Sequence, residues 1–384
     1  MLLQNTYNFF KIKPVASLGF LFATSSLMIG VWAGALPFMK ERMGLSDADL
    51  GLILLLAPLG SLTGVLLSTK VYRNIKVGTW LGVGNAVQAL LFCVEVFAPN
   101  PWVFGIALFF RGGLGFLNGV ATNAVAVRFE KQYDKKFLNT FHAIYSIGGA
   151  LGAGLAALMF KFNLGSTSQV LSALAIILIG IALLKKNYVL HDYFIHSGSG
   201  FSMPTKSILG LSFICLVVFM AEGSVVDWSS IYLKRDILAP LSIISLGYGG
   251  FFVAMTLGRL NGDVLVPLIG EKRIVLLGTL LAALGLLLVS QSVEAYVVIL
   301  GFVLTGAGCC FIVPVLFGSA SNIPNVSQVQ GFGMITSGGL IGFLAGPSII
   351  GLISEQWSLS VGFMFVVFML CLAAFVGGRS GLLK

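Results

Sequence analysis

Twelve apolar runs of about 18 to 25 residues follow one another from residue 15 almost to the C-terminus, and each, wound as a helix, crosses a hydrocarbon core of about 30 Å. They fall near 15–38, 48–69, 77–97, 101–126, 138–160, 168–185, 207–231, 242–265, 274–291, 295–317, 329–353 and 357–378. The solvent for most of this chain is therefore lipid. Composition agrees, because 57% of the residues are hydrophobic and 10% charged, whereas a soluble domain carries about 25% charge. The runs are continuous and rich in Leu, Gly and Ala, while a barrel needs alternating segments of about ten residues, so the expected class is an all-α membrane protein with twelve transmembrane helices. The first run follows Lys11 and Lys13 but is longer than the roughly 7 to 15 residues of a signal-peptide core, and is expected to stay as a helix.

Basic residues set an expected orientation. With the N-terminus in the cytoplasm, the outer side receives Lys40, Arg42, Lys161, Lys234 and Arg235, and every other Lys and Arg except the intramembrane Arg111 lies inside. That asymmetry predicts both termini in the cytoplasm. The net charge of +9 is then a topology signal, and nucleic acid is not an expected partner. Cys93, Cys215, Cys309, Cys310 and Cys371 all fall within apolar runs, with no disulfide or metal spacing.

The chain looks duplicated. Ser146-Ile-Gly-Gly-Ala-Leu-Gly152 and Thr336-Ser-Gly-Gly-Leu-Ile-Gly342 share one glycine spacing about half a chain length apart. Gly64-Val-Leu-Leu-Ser-Thr69 and Gly258-Arg-Leu-Asn-Gly-Asp263 sit at similar places in their halves. The longest hydrophilic interruption, near Lys185 to Ser207, divides a bundle over 1–185 from a bundle over 207–384, with 186–206 as a cytoplasmic linker. His191 and His196 in that linker read as solvated, and His142 as an interfacial or capping residue.

Gly258-Arg-Leu-Asn-Gly-Asp263, followed by Gly270-Glu-Lys-Arg273, resembles the cytoplasmic loop motif of the major facilitator superfamily, although the first-half copy has Ser68 and Thr69 where an Asp belongs. Arg111-Gly-Gly-Leu-Gly115 resembles that superfamily's Arg-x-x-Gln-Gly motif with Leu114 in place of Gln. The stretch Ala221-Glu-Gly-Ser-Val-Val-Asp-Trp-Ser-Ser-Ile-Tyr-Leu233 is similar to a helix of bacterial sugar permeases of the fucose permease kind. The resemblance implies two six-helix bundles that rock around a central site, and gating roles for Arg259 and Asp263.

Ionisable side chains at lipid depth cost about 2.5 to 3.5 kcal/mol each and mark functional candidates. Arg111 lies about 15 Å from the start of its run and Glu222 about 13 Å from the end of its own. The resemblance places their helices in opposite halves beside one cavity, which predicts an Arg111–Glu222 pair that couples protonation of Glu222 to substrate binding. A static ion pair is the competing reading. Arg111, Gly115, Asn118 and Thr122 form one helical stripe, either the wall of a substrate cavity or, at Asn118, an amide bonded to a neighbouring helix. Asp227 reads as an interfacial carboxylate beside an aromatic anchor, Trp228, or as part of an outer gate. Glu95 reads as a side chain that snorkels from its helix end, and Pro37, Pro58 and Pro314 as sites of kinking.

These features predict a secondary transporter of a small polar organic solute, a sugar or metabolite, in symport with protons, with a proton-driven drug or metabolite exporter as the alternative. The expected partners are the solute, protons and the bilayer, and a monomer suffices. No cofactor or metal is expected. An enzyme would need a nucleophile and base or metal ligands at matched depth, which the sequence lacks. A scramblase, the other rival, would need a polar groove open to lipid.

Overall fold

The computed structural model describes residues 9–135, 137–189, 193, 208–319 and 328–383, apart from the side chains of 139, 188, 189, 263, 328–330, 332 and 333. His191, His196 and most of the 186–206 linker lie outside the described residues. Among the described residues the chain is helical without strands, and twelve helical stretches are long and apolar enough to span a membrane. We number the helices α1 (Lys13–Arg42), α2 (Asp47–Leu54), α3 (Leu56–Asn74), α4 (Val77–Val96), α5 (Pro101–Tyr133), α6 (Leu138–Lys161) and α7 (Ser166–Val189). Then come α8 (Leu209–Arg235), α9 (Leu246–Leu260), α10 (Gly262–Ile269), α11 (Glu271–Gln291), α12 (Ala295–Cys309), α13 (Ile312–Ser319), α14 (Gln328–Gln356) and α15 (Leu359–Arg379).

Local chemistry sets the ends. Asn100 caps α5 by accepting from the Val103 N–H at 3.0 Å, with Pro101 in the first turn, where its missing N–H costs nothing. The apolar run closes near 126, but α5 continues to Tyr133, where Asp134 turns into the left-handed region at φ 48°. Glu130 then accepts from the N–H groups of Phe137 and Leu138 at 2.6 and 2.8 Å and so starts α6. Hydropathy therefore marks how much of a helix meets lipid, not where the helix stops. Gly270, at φ 89° between α10 and α11, occupies a conformation that side-chain-bearing residues avoid.

Two spans are interrupted. The α2–α3 span breaks at Leu55, and the α12–α13 span turns at Cys310 and Phe311. Pro58 and Pro314 explain both, because a proline lacks the N–H that the carbonyl four residues earlier would accept and its ring crowds that carbonyl. Pro37 and Pro347 lie within α1 and α14 without ending either helix.

The chain packs as two compact units, residues 1–35 with 56–199, and residues 36–55 with 200–384. Residues 36–55, which the sequence assigns to the first half, thus pack with the second. There the hydroxyl of Ser348 on α14 donates to the Gly51 carbonyl of α2 at 2.7 Å, and a Cβ built on Gly351 would stand 3.0 Å from the Cα of Gly51.

The repeated glycine spacing has the same physical job in each unit. A Cβ on Gly148 or Gly152 of α6 would stand 2.1 or 2.2 Å from the carbonyl oxygens of Ala23 and Leu27 on α1. A Cβ on Gly338 or Gly342 of α14 would stand 2.3 or 2.1 Å from those of Ser212 and Leu216 on α8. Such distances are far inside van der Waals contact, so only glycine lets these backbones meet.

Candidate functional site

In the first unit α4 and α5 run antiparallel, joined by residues 97–100, and Gln88 and Glu95 of α4 meet Asn118 and Arg111 of α5 in the seam between them. Glu95 of α4 is 0% exposed. Both its oxygens accept from a single donor, the Nε–H of Arg111 on α5, at 2.6 and 2.7 Å. The Arg111 side chain keeps 18% exposure. Its guanidinium lies 5.3 Å from the centre of the Trp32 ring, which stacks on Phe104 at 5.8 Å. Neither terminal nitrogen of Arg111 bonds a protein group among the described residues.

One helical heptad deeper, the Asn118 amide of α5 donates to the Gln88 Oε1 of α4. Gly115 faces the same side chain, since a Cβ there would stand 3.4 Å from Gln88 Nε2. Thr122 is buried and turns its hydroxyl back to the Asn118 carbonyl at 2.9 Å. Tyr72 of α3 donates to the Leu117 carbonyl. Within this stripe Asn118 bonds α4 and Gly115 leaves room for the Gln88 side chain, so α5 lies close against α4 here.

The second unit holds Glu222 on α8. It makes no hydrogen bond or salt bridge among the described residues, and the cation whose field acts on it is Arg259 of α9. Gly258, next to Arg259, lets α9 approach Cys310, whose sulfur would lie 2.3 Å from a Cβ there. Asp263 begins α10 with its side chain outside the described residues. Asp227 is half-buried on α8. Trp228, expected as an interfacial anchor, is instead fully buried and donates its indole N–H to the Pro347 carbonyl at 3.1 Å. A residue at a helix's apparent boundary goes inside when the next helix overlaps it.

The same unit carries a charge cluster centred on Asp47 at the start of α2. Its carboxylate accepts from Arg235 Nη1 at 2.8 Å, from Lys40 at 3.0 Å and from the Ser354 hydroxyl. Its N–H donates to Glu355 at 2.9 Å, and Lys234 pairs with Glu41. Lys40, Lys234 and Arg235, expected on one side of the membrane, thus share one end of this unit.

Two corrections stand out. Arg111, expected to pair with Glu222, bonds Glu95 of its own unit, and Glu95, read as snorkelling, is the most enclosed carboxylate in that unit. Sequence reasoning also passed over Gln88 and Asp47. A signal for the first existed, because Gln88 and Glu95 are seven residues apart on α4 and so share a face.

Residues 211–379 match the Major Facilitator Superfamily. An uncharacterized MFS-type transporter of Yersinia pestis is 34% identical over 358 residues, covering 92% of both chains. A gentisate transporter of Corynebacterium glutamicum is 25% identical over 357 residues, which is 86% of this chain and 78% of that one. Among solved structures, the nucleoside transporter NupG superposes with a TM-score of 0.71 at 13% identity, covering 94% of this chain and 97% of its own.

Proposed function

Because the chain belongs to the major facilitator superfamily of membrane transporters, we propose that it imports a small polar organic solute in symport with protons, by alternating access, across a bacterial cytoplasmic membrane with both termini inside. The observation that carries this reading is the Glu95–Arg111 pair, a fully enclosed carboxylate held by one N–H of a cation that has four more to offer. A carboxylate that loses its single cationic partner at low dielectric takes up a proton rather than remain charged. The arginine, once released, is a full positive charge that needs a new polar partner. Solute and proton can therefore arrive at the pair together, and the two depend on each other thermodynamically. Glu222, without a bonded cation, is the second proton site, with Arg259 acting on it through space. Arg259 and Asp263 act in gating, as does Asp227, and Asn118, bonded to Gln88, ties α5 to α4 beneath the pair, with Thr122 one turn further along α5. The likeness of Ala221–Leu233 to sugar permeases favours import as the direction.

Inverted vesicles and whole cells, energised and lightly buffered, test this with a panel of sugars, organic acids and other metabolites. Solute-dependent proton flux is expected in the native protein, absent from Glu95→Gln and reduced in Glu222→Gln. If flux survives Glu95→Gln undiminished, the pair is structural and the coupling belongs to Glu222; if no solute moves protons in the native protein, the coupled reading falls.

A further inference from the structure

The half of Arg111 that Glu95 does not use is a second, unassigned recognition element. A guanidinium carries five N–H donors in one plane, and its terminal edge presents two of them in parallel at the spacing of a carboxylate's two oxygens. Here Nε is engaged and Nη1 and Nη2 are not, among the described residues. The fork is also fixed in direction. Glu95 anchors one edge, Trp32 lies against the face at 5.3 Å, and Trp32 is itself 3% exposed and stacked on Phe104. The exposure left to this group, 18%, belongs to Arg111, while Glu95 has none.

We propose that the terminal nitrogens of Arg111 are the receptor for the carboxylate of a monoanionic substrate, and that Glu95 takes up one proton as that carboxylate arrives; this rests on the proton-coupled reading above. Charge sets the stoichiometry. The resting pair is neutral, and the loaded site, a protonated Glu95 with Arg111 bound to an anion, is neutral again. An anion without a proton would leave a net negative charge at lipid depth, and a dianion would do so even with one. A neutral solute would leave the fork unpaired once Glu95 lets go. Arg111 is the charge that acts on Glu95. Of the other elements beside α4, α7 brings no ionisable side chain before Lys185, the part of α1 in this unit brings Lys13 alone, α5 brings none between Arg111 and Arg128, and α3 brings Tyr72 against Trp80, at the other end of α4 from Glu95. Among the described residues Arg111 is the group that bonds Glu95. At this pair the arrival of one anion with one proton is electroneutral, so the pair itself adds no dependence on membrane potential.

Purified full-length protein in micelles tests this with benzoate and lactate as probes and benzamide and lactamide as their uncharged counterparts. Quenching of tryptophan fluorescence reports binding beside Trp32, and a pH electrode in weak buffer reports proton uptake. The carboxylates should bind with uptake of about one proton per anion and about tenfold or more tighter than the amides. Glu95→Gln, which keeps the side chain's shape, should bind carboxylates at least as tightly with no proton uptake. Arg111→Lys, a cation without the fork, should weaken them about tenfold or more. Failure of both carboxylates to bind native protein and Glu95→Gln overturns the proposal. So does carboxylate binding without proton uptake, or binding of inorganic phosphate or anionic-lipid micelles in place of carboxylates. Neutral solutes that drive proton flux while carboxylates fail to bind would sink this inference and spare the coupled-transport reading. Carboxylate binding with proton uptake, beside vesicles in which no solute moves protons, would sink the reading and leave the receptor standing.

Discussion

Asp47 and Glu95 are both enclosed carboxylates paired with an arginine, yet the first is saturated and the second is not. The side chains keep 5% and 0% exposure. Asp47 gathers Arg235, Lys40 and Ser354, and Arg235 has a further acceptor in Asp236 at 3.0 Å. Glu95 has one N–H, and its arginine has no second protein acceptor among the described residues. Burial alone therefore does not distinguish the two carboxylates. What separates them is the donor capacity left over: a saturated cluster resists change, whereas an underused cation is free to exchange partners.

The difference is broken most severely by Glu95→Leu. Removing one member of an enclosed pair strands the other, which typically costs about 3 to 5 kcal/mol. Thermal unfolding in micelles should show a loss of that size together with loss of proton-linked uptake. The double variant Glu95→Leu with Arg111→Leu should recover most of the stability and none of the uptake, since it removes the stranded charge with its partner. A single-variant loss below about 1 kcal/mol would mean that Arg111 readily finds another acceptor.

Asp47→Asn should be milder. The amide keeps one oxygen for one donor, Arg235 keeps Asp236, and the charge-assisted share that is lost amounts to about 1 to 2 kcal/mol. Proton-linked uptake in vesicles should remain coupled, with the ratio of protons to solute unchanged. A changed ratio would place Asp47 among the working charges and erase the contrast with Glu95.

Much of the fold was legible because lipid imposes a coarse rule, that a long apolar run becomes a helix, and the runs read from sequence meet the twelve spanning stretches to within a few residues at most ends. The interruptions at Leu55 and Cys310 were half legible. Pro58 and Pro314 mark them, but Pro37 and Pro347 look alike in sequence and end no helix. The site was misread for a reason of geometry. Counted along its own helix, Glu95 sits one residue from the end of α4, whereas its partner lies about 15 Å into α5. Helical side chains lean toward their own N-termini. On antiparallel neighbours that lean sends Glu95 and Arg111 toward each other, and depth counted from Cα positions misses it. The register itself was in the sequence. Seven residues separate Gln88 from Glu95 on α4, and seven separate Arg111 from Asn118 on α5, so two antiparallel helices that form one pair also form the other.

The smallest test compares the enclosed core of the Asp47 cluster with its rim. Lys234 pairs with Glu41, whose side chain is 60% exposed, and lies 4.6 Å from the Phe38 ring. A pair wetted on one side typically contributes under about 1 kcal/mol, and Lys234→Met keeps most of the apolar stem that covers the ring. The expected loss in thermal unfolding is about 0.5 kcal/mol. It should vanish in 1 M salt, where the screening length falls to about 3 Å, while the loss in Asp47→Asn persists because its partners meet out of water. If the Lys234→Met loss instead exceeded about 1.5 kcal/mol and survived salt, Glu41 and Lys234 would be joined to Asp47 in one cooperative network. The saturated end of the molecule would then extend across α1, α2 and α8 rather than stop at Asp47.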